Sequence, residues 1–244
     1  MIKNILARIL AIWTAFAFAG SMLIFLFPIW AAGIFGEPIS TAWMIRFSRM
    51  WMALYFPLSF INVKITGKEN FKKGENYIVV CNHNSFMDVP LSSPGIPGPN
   101  KTIAKVEMSR IPLFGIIYKR GSVLINRKDE QSRKESYQKM KDVLNMGMHM
   151  CIYPEGTRNK TDDPLKSFHD GAFRLSYETG KKIIPAIIRG TKEMLPTNKT
   201  LYFWPGKISM QFLEPIDPKN FNDLYELKEH VYQVMLKEMT HHCV

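Results

Sequence analysis

Cysteine is scarce in this chain: Cys81, Cys151 and Cys243 are the three thiols in 244 residues. So small and odd a number excludes a disulfide-stapled scaffold, and the apolar, strand-like surroundings of Cys81 and Cys151 suit buried, reduced thiols. Acidic residues are also in deficit, 21 against 32 Lys and Arg, leaving a formal charge of +11. A surplus of that size implies attraction to polyanions, whether nucleic acid, anionic lipid or phosphorylated substrates, and does not choose among them. No stretch is repetitive or of low complexity, which excludes a solenoid. Charge is missing altogether from residues 9–36, a run longer than the ~20 residues that cross a bilayer core.

That run, with Trp13, Trp30 and Trp43 at positions suited to an interface, reads as a membrane anchor. It far exceeds the ~7–15-residue apolar core of a cleaved signal peptide. Pro28 interrupts it, and a second, weakly charged aromatic segment follows over 43–60 with Arg46 and Arg49 inside. A single span followed by an interfacial helix and a two-helix hairpin within one leaflet both fit. Lys3 and Arg8 before the run and Arg46 and Arg49 after it favour a hairpin returning to its starting side.

Past Ile61 the composition becomes that of a soluble α/β domain, so the chain divides into anchoring helices over 1–61 and a catalytic domain over 62–244. Strands are expected at 63–66, 77–81, 102–106, 122–125, 148–153, 183–188, 202–204 and 208–212. Helices are expected over 128–146, stopped by Gly147, and over 171–179, stopped by Gly180. A C-terminal helix carries an apolar stripe of Leu224, Leu227, Val231 and Val234, with Asp217-Pro218 as its cap. Strands alternating with helices imply an α/β fold: a mixed, mostly parallel sheet covered by helices, with active residues at the strands' carboxyl ends.

Three of these strands end on reactive groups. The run 77–81 delivers Asn82, His83, Asn84, Ser85 and Asp88, which are loop and helix-cap types. His83 and Asp88 lie ~140° apart on a straight helix and ~16 Å apart in a strand. They meet only if the chain curls after His83 and Asp88 returns from the first turn of a following helix. Asp88 would then orient one imidazole nitrogen and leave the other to take a proton from a hydroxyl. An Asp five residues after a His is common by chance, so the pair gains weight from its neighbours. The strand at 122–125 finishes near Arg127, and the one at 148–153 finishes on Pro154-Glu155-Gly156-Thr157-Arg158. Two guanidiniums, a glycine that lets backbone amides approach and a threonine hydroxyl suit a phosphate.

Four ordered blocks, Asn82-His83-Asn84-Ser85-Phe86-Met87-Asp88, Gly121-Ser122-Val123-Leu124-Ile125-Asn126-Arg127, Tyr153-Pro154-Glu155-Gly156-Thr157-Arg158 and Ile184-Pro185-Ala186, resemble those of the glycerolipid acyltransferases. Within that family the resemblance is greatest to the 1-acyl-glycerol-3-phosphate acyltransferases. Asn126 stands where many members have Asp, and Leu124 where many have Phe. The resemblance implies acyl transfer from a thioester, acyl-CoA or acyl carrier protein, to the free hydroxyl of lysophosphatidic acid, giving phosphatidic acid for phospholipid synthesis. It implies His83 as general base and Asp88 as its orienter, with no metal, no cofactor and no acyl-enzyme. By the same resemblance the acceptor phosphate falls to Gly121, Arg127, Glu155, Gly156, Thr157 and Arg158, with Lys105 as a further contact. Because thioester donors are cytosolic, the catalytic domain is expected on the cytoplasmic side of a membrane.

Other readings stay open at this stage. A relative acylating glycerol 3-phosphate or a lyso-aminolipid would carry similar blocks. A hydrolase could use His83 and Asp88 on water. A basic, membrane-bound nucleic-acid-binding protein would explain the charge, but it leaves the strands ending in His and Arg unexplained and lacks a basic stripe interleaved with aromatics, so nucleic acid is not expected as a partner.

Overall fold

The structure, a computed structural model, describes residues 2–241; Cys243 lies outside them. Two long apolar helices come first, α1 (Ile2–Ala31) and α2 (Ile39–Leu58), and the α/β part follows. Strands β1 (Ile61–Thr66), β2 (Ile78–Cys81), β3 (Asn100–Lys105), β4 (Ser122–Ile125), β5 (His149–Ile152), β6 (Ile183–Arg189) and β7 (Gly206–Phe212) form one sheet. Their order is β1-β7-β6-β2-β5-β3-β4. Every neighbouring pair is parallel except β6 and β7. The mixed, mostly parallel sheet expected from the alternating elements is the one observed.

The helices follow from the pattern between the strands. They are α3 (Asp88–Gly95), α4 (Phe114–Gly121), α5 (Glu130–Asn145), α6 (Gly171–Thr179), the short α7 (Thr191–Met194) and α8 (Leu224–His241). Central β2 is buried on both faces, as a continuous apolar run in a helix-covered sheet must be. Its alternation splits the core. Tyr77, Val79 and Cys81 join Cys151, Ile184 and Ile188 on the face covered by α1, α2 and α3. Ile78 and Val80 join Met150, Ile152 and Ile187 on the face covered by α5, α6 and α8. Cys81 and Cys151 are buried and free.

The α1–α2 pair is part of this core. Trp51 packs on Phe18, their ring centroids 4.9 Å apart, and its indole N–H donates to Ser21 Oγ at 2.9 Å. Arg49, which sequence alone places among interfacial charges, instead donates to the Pro94 and Ile96 carbonyls at 2.9 and 2.7 Å. It thereby caps the carboxyl end of α3, where a cation also complements the helix dipole. On the outside α1 exposes Ile2, Ile5, Ile9, Phe16, Ile24 and Phe27. Ile2–Ile34 is long and apolar enough to cross a membrane, and an outward face of this kind points to membrane association.

Two expectations are corrected. Residues 202–204 form no strand: the Phe203 N–H donates to the Ala7 carbonyl of α1, and the Trp204 N–H to Met194 at the end of α7. Aromatic β-formers are thus spent on helix contacts, with Phe203 only 1% exposed. Asp217 caps a single 3₁₀ turn at Pro218–Asn220 through the Lys219 N–H. The cap of α8 is Asp223, which accepts from the Glu226 N–H at 2.8 Å.

Candidate active site

Four adjacent parallel strands, β2, β5, β3 and β4, bring their carboxyl ends to one edge of the sheet. His83, the 154–158 turn and Arg127 lie just past these ends, and Lys105 is the last residue of β3, so topology alone gathers them. Both His83 and Arg127 stand two residues beyond their strands.

The chain does curl after His83, and Asp88 is the first residue of α3. Its Oδ2 lies 2.8 Å from His83 Nδ1 and also accepts the Asn84 and Ser85 backbone N–H groups at 2.6 and 2.8 Å. Asp88 is fully buried, whereas the His83 side chain keeps 18% exposure. With Asp88 as the acceptor in this pair, Nδ1 is the donor and Nε2 is left without a bond to the carboxylate. The His83 ring stacks on Tyr153 with centroids 4.3 Å apart. Burial pushes the Tyr153 phenol up, and its hydroxyl shares a hydrogen bond with Ser92 at 2.7 Å.

The backbone on either side of His83 is held as firmly. The Asn82 side chain donates to the Ile188 carbonyl at 2.9 Å and accepts from the Ile188 N–H at 2.7 Å, pinning the end of β2 to β6. The His83 N–H donates to Glu155 Oε1 at 2.7 Å, and the His83 carbonyl accepts from the Asn159 N–H at 2.6 Å. Glu155 also takes the Lys166 N–H at 3.1 Å. Burial raises the Glu155 carboxyl above its ordinary range, and the two backbone donors pull in the opposite direction.

His83, Lys105, Arg127, Gly156, Thr157 and Arg158 line one cavity of about 700 Å3. Lys160 and Lys166 line it too. Neither carried a local signal: they lie in an irregular segment that only the tertiary fold returns to the site. Lys166 Nζ donates to Thr157 Oγ1 at 2.8 Å, and Arg127 Nη1 donates to the Gly156 carbonyl. Gly156 has φ +72°, a left-handed conformation that favours glycine in this turn.

Two residues expected at the phosphate do not line this cavity. Gly121 ends α4 against α2, where a Cβ would lie 2.4 Å from Met44 Cε. Its role is close packing. Glu155 is 2% exposed and turned to backbone N–H groups, and a carboxylate there would repel a phosphate. It shapes the His83 turn instead.

An apolar cavity of about 680 Å3 adjoins the cationic one. Its walls include Phe18 of α1, Trp51 and Tyr55 of α2, Val89 of α3, Phe114 of α4 and Phe203. The two cavities share Phe86, Val89, Met108, Tyr118 and Arg158. At that junction the Arg158 guanidinium lies 3.6 Å from the Phe86 ring centroid, a cation–π contact that leaves its N–H edge available. A histidine–aspartate pair, a cluster of cations and an apolar slot therefore lie within one region.

Residues 62–189 match the protein-family model described as Acyltransferase. The chain is 32% identical over 168 residues to a 1-acyl-sn-glycerol-3-phosphate acyltransferase of Chlamydomonas reinhardtii, covering 68% of this chain and 50% of that protein. It therefore spans half the length of the algal relative. It is 30% identical over 195 residues to a probable 1-acyl-sn-glycerol-3-phosphate acyltransferase of Mycoplasma pneumoniae, covering 74% and 72% respectively. In fold it is similar to the crystal structure of the 1-acyl-sn-glycerophosphate (LPA) acyltransferase, PlsC, from Thermotoga maritima. The TM-score is 0.83 with 24% identity, and the match covers 100% of both chains.

Proposed function

The chain belongs to the acyltransferase family, and on that premise we propose that it transfers a fatty acyl group from a thioester to the free hydroxyl of 1-acylglycerol 3-phosphate, giving phosphatidic acid. The observation that carries this reading is that the two cavities meet at Phe86, Val89 and Arg158, beside the His83–Asp88 pair, with His83 lining the cationic one. One suits a phosphate monoester and the other a hydrocarbon chain, and the reaction needs both beside a base.

The steps follow from the geometry. The acceptor phosphate binds among Arg127, Arg158 and Lys105, with the Thr157 hydroxyl as a further donor, and this fixes the glycerol hydroxyl near His83. His83 Nε2 takes the hydroxyl proton as the oxygen attacks the thioester carbonyl. The buried Asp88 carboxylate stabilises the imidazolium that forms. Collapse of the tetrahedral intermediate expels the thiolate, which takes the proton back from His83. No group on the protein is acylated. The donor is an acyl-CoA or an acylated carrier protein, either of which a cationic surface attracts. With α1 and α2 embedded from one side, the catalytic domain faces the cytoplasm, where thioesters are made.

A labelled acyl thioester offered with lysophosphatidic acid, glycerol 3-phosphate and a neutral monoacylglycerol tests the proposal. Wild type should prefer lysophosphatidic acid. His83→Ala should lose ~10²–10⁴ in rate. Arg158→Ala should lose roughly 10- to 100-fold on the phosphorylated acceptor and with it the preference over the neutral one. Acyl release without an acceptor, or an equal fall on both acceptors in Arg158→Ala, would overturn the reaction or the phosphate site respectively.

A further inference from the structure

The Asp88 carboxylate is held from two sides of the fold. Oδ2 faces the His83 ring and the Asn84 and Ser85 N–H groups. Oδ1 accepts from the Thr191 hydroxyl at 2.6 Å, and both residues are fully buried. Thr191 is more than a hundred residues away in sequence, at the start of α7. It arrives because β6 lies next to β2, so the turn leaving β6 lands beside the turn leaving β2. That turn depends on Gly190 at φ +83°, where a Cβ would stand 2.2 Å from the Lys207 carbonyl oxygen. A second tie joins the same two segments, since Ser85 Oγ donates to the Leu195 carbonyl at 2.9 Å, just past the end of α7.

We infer that Thr191 is a positioning residue for the proton transfer, a third member of a His83–Asp88–Thr191 chain. A carboxylate turns easily about its last torsion, which is broad and roughly two-fold. The N–H groups on Oδ2 fix one end of the group. The Thr191 hydroxyl fixes the other, which sets the carboxylate plane and hence the direction in which Nδ1 is held and Nε2 aimed. The hydroxyl also satisfies a buried anionic oxygen that would otherwise carry an unmet desolvation cost. The inference rests on His83 acting as the base.

The test compares Thr191→Val, which keeps the shape and removes the hydroxyl, with Thr191→Ser, which keeps the hydroxyl. Loss of a charge-assisted bond in a buried site should lower kcat about 10- to 100-fold in Thr191→Val. KM for both substrates should stay within about twofold, because no substrate contact is removed. Thr191→Ser should recover most of the rate. In an Asp88→Asn background the Thr191→Val loss should largely disappear, since the hydroxyl acts through that carboxylate. The downfield imidazole N–H resonance assigned by its absence in His83→Ala gives a readout that needs no turnover. It should persist in wild type and Thr191→Ser and be lost to exchange in Thr191→Val. If Thr191→Val does not fold, Thr191→Ala carries the same comparison. A wild-type kcat without the hydroxyl, a serine variant no better than the valine one, or an undiminished loss on Asp88→Asn would each overturn the assignment. A wild type unable to acylate lysophosphatidic acid would overturn the reaction, while a resonance lost in Thr191→Val would still support the positioning role.

Discussion

The burial of His149 predicts that the stability of the fold depends on pH. The residue opens β5 at the edge of the sheet opposite the active site. Its Nδ1 accepts the Tyr77 N–H at 3.0 Å, and its ring meets Phe71 edge-on at 5.3 Å. Burial lowers its pKa from the ordinary 6.5 to about 4. A base with a depressed folded pKa stabilises the fold fully above its unfolded value and loses that contribution as pH falls toward the folded one. The window is therefore pH 6.5 down to about 4. At 1.36 kcal/mol per unit the total is about 3 kcal/mol. For a chain of this size 1 kcal/mol moves Tm by ~2–4 °C, so His149 should account for roughly 10 °C of acid lability. Thermal unfolding of wild type and His149→Gln in one detergent, followed between pH 7 and 4, isolates the contribution of His149. The carboxylates of Glu75, Asp170 and Glu178, whose partners lower their pKa, are present in both proteins and cancel. His149→Gln should be less stable at pH 7 and fall less steeply on acidification. Parallel curves for the two proteins would refute the argument.

Glu155→Gln keeps one acceptor but turns an amide donor toward a backbone N–H that the carboxylate now accepts. It should cost ~1.5–3 kcal/mol of stability and reduce turnover without changing the preference for a phosphorylated acceptor. A loss confined to phosphorylated acceptors would instead make Glu155 a substrate contact. A chain beginning at Ile61 should no longer resist carbonate extraction. It should also be inactive, because Phe18, Trp51 and Tyr55 wall the apolar cavity; a soluble, active product would disprove both points.

What could be read from sequence was what local composition controls. The β-branched run before His83 announced a buried strand, and the cluster after it announced a turn with a helix opening on Asp88. The shared edge of the sheet followed once the strands were taken as parallel. What escaped was decided by contacts across long separations. Glu155 lies in a block that looks like a phosphate site, and only the paths of 83 and 166 show that it binds backbone. Gly121 is explained by Met44 on another helix. Thr191, Lys160 and Lys166 had no pattern around them. Residues 202–204 have strand-forming side chains, yet α1 takes the Phe203 N–H and α7 the Trp204 N–H outside the sheet. Asp217 carried a good capping sequence and was used for a shorter turn than its proline suggested.

Because α1 and α2 wall the apolar cavity, the proposed function makes the amphiphile chosen to extract this protein a competitor for its slot and not an inert medium. A straight-chain detergent presents the same kind of tail that the proposed function assigns to this cavity, and in micelles it is in excess over any substrate. Rates measured in such micelles would then vary with tail length as competition, and bulky or polymeric amphiphiles, or lipid nanodiscs, would report the enzyme with its slot empty.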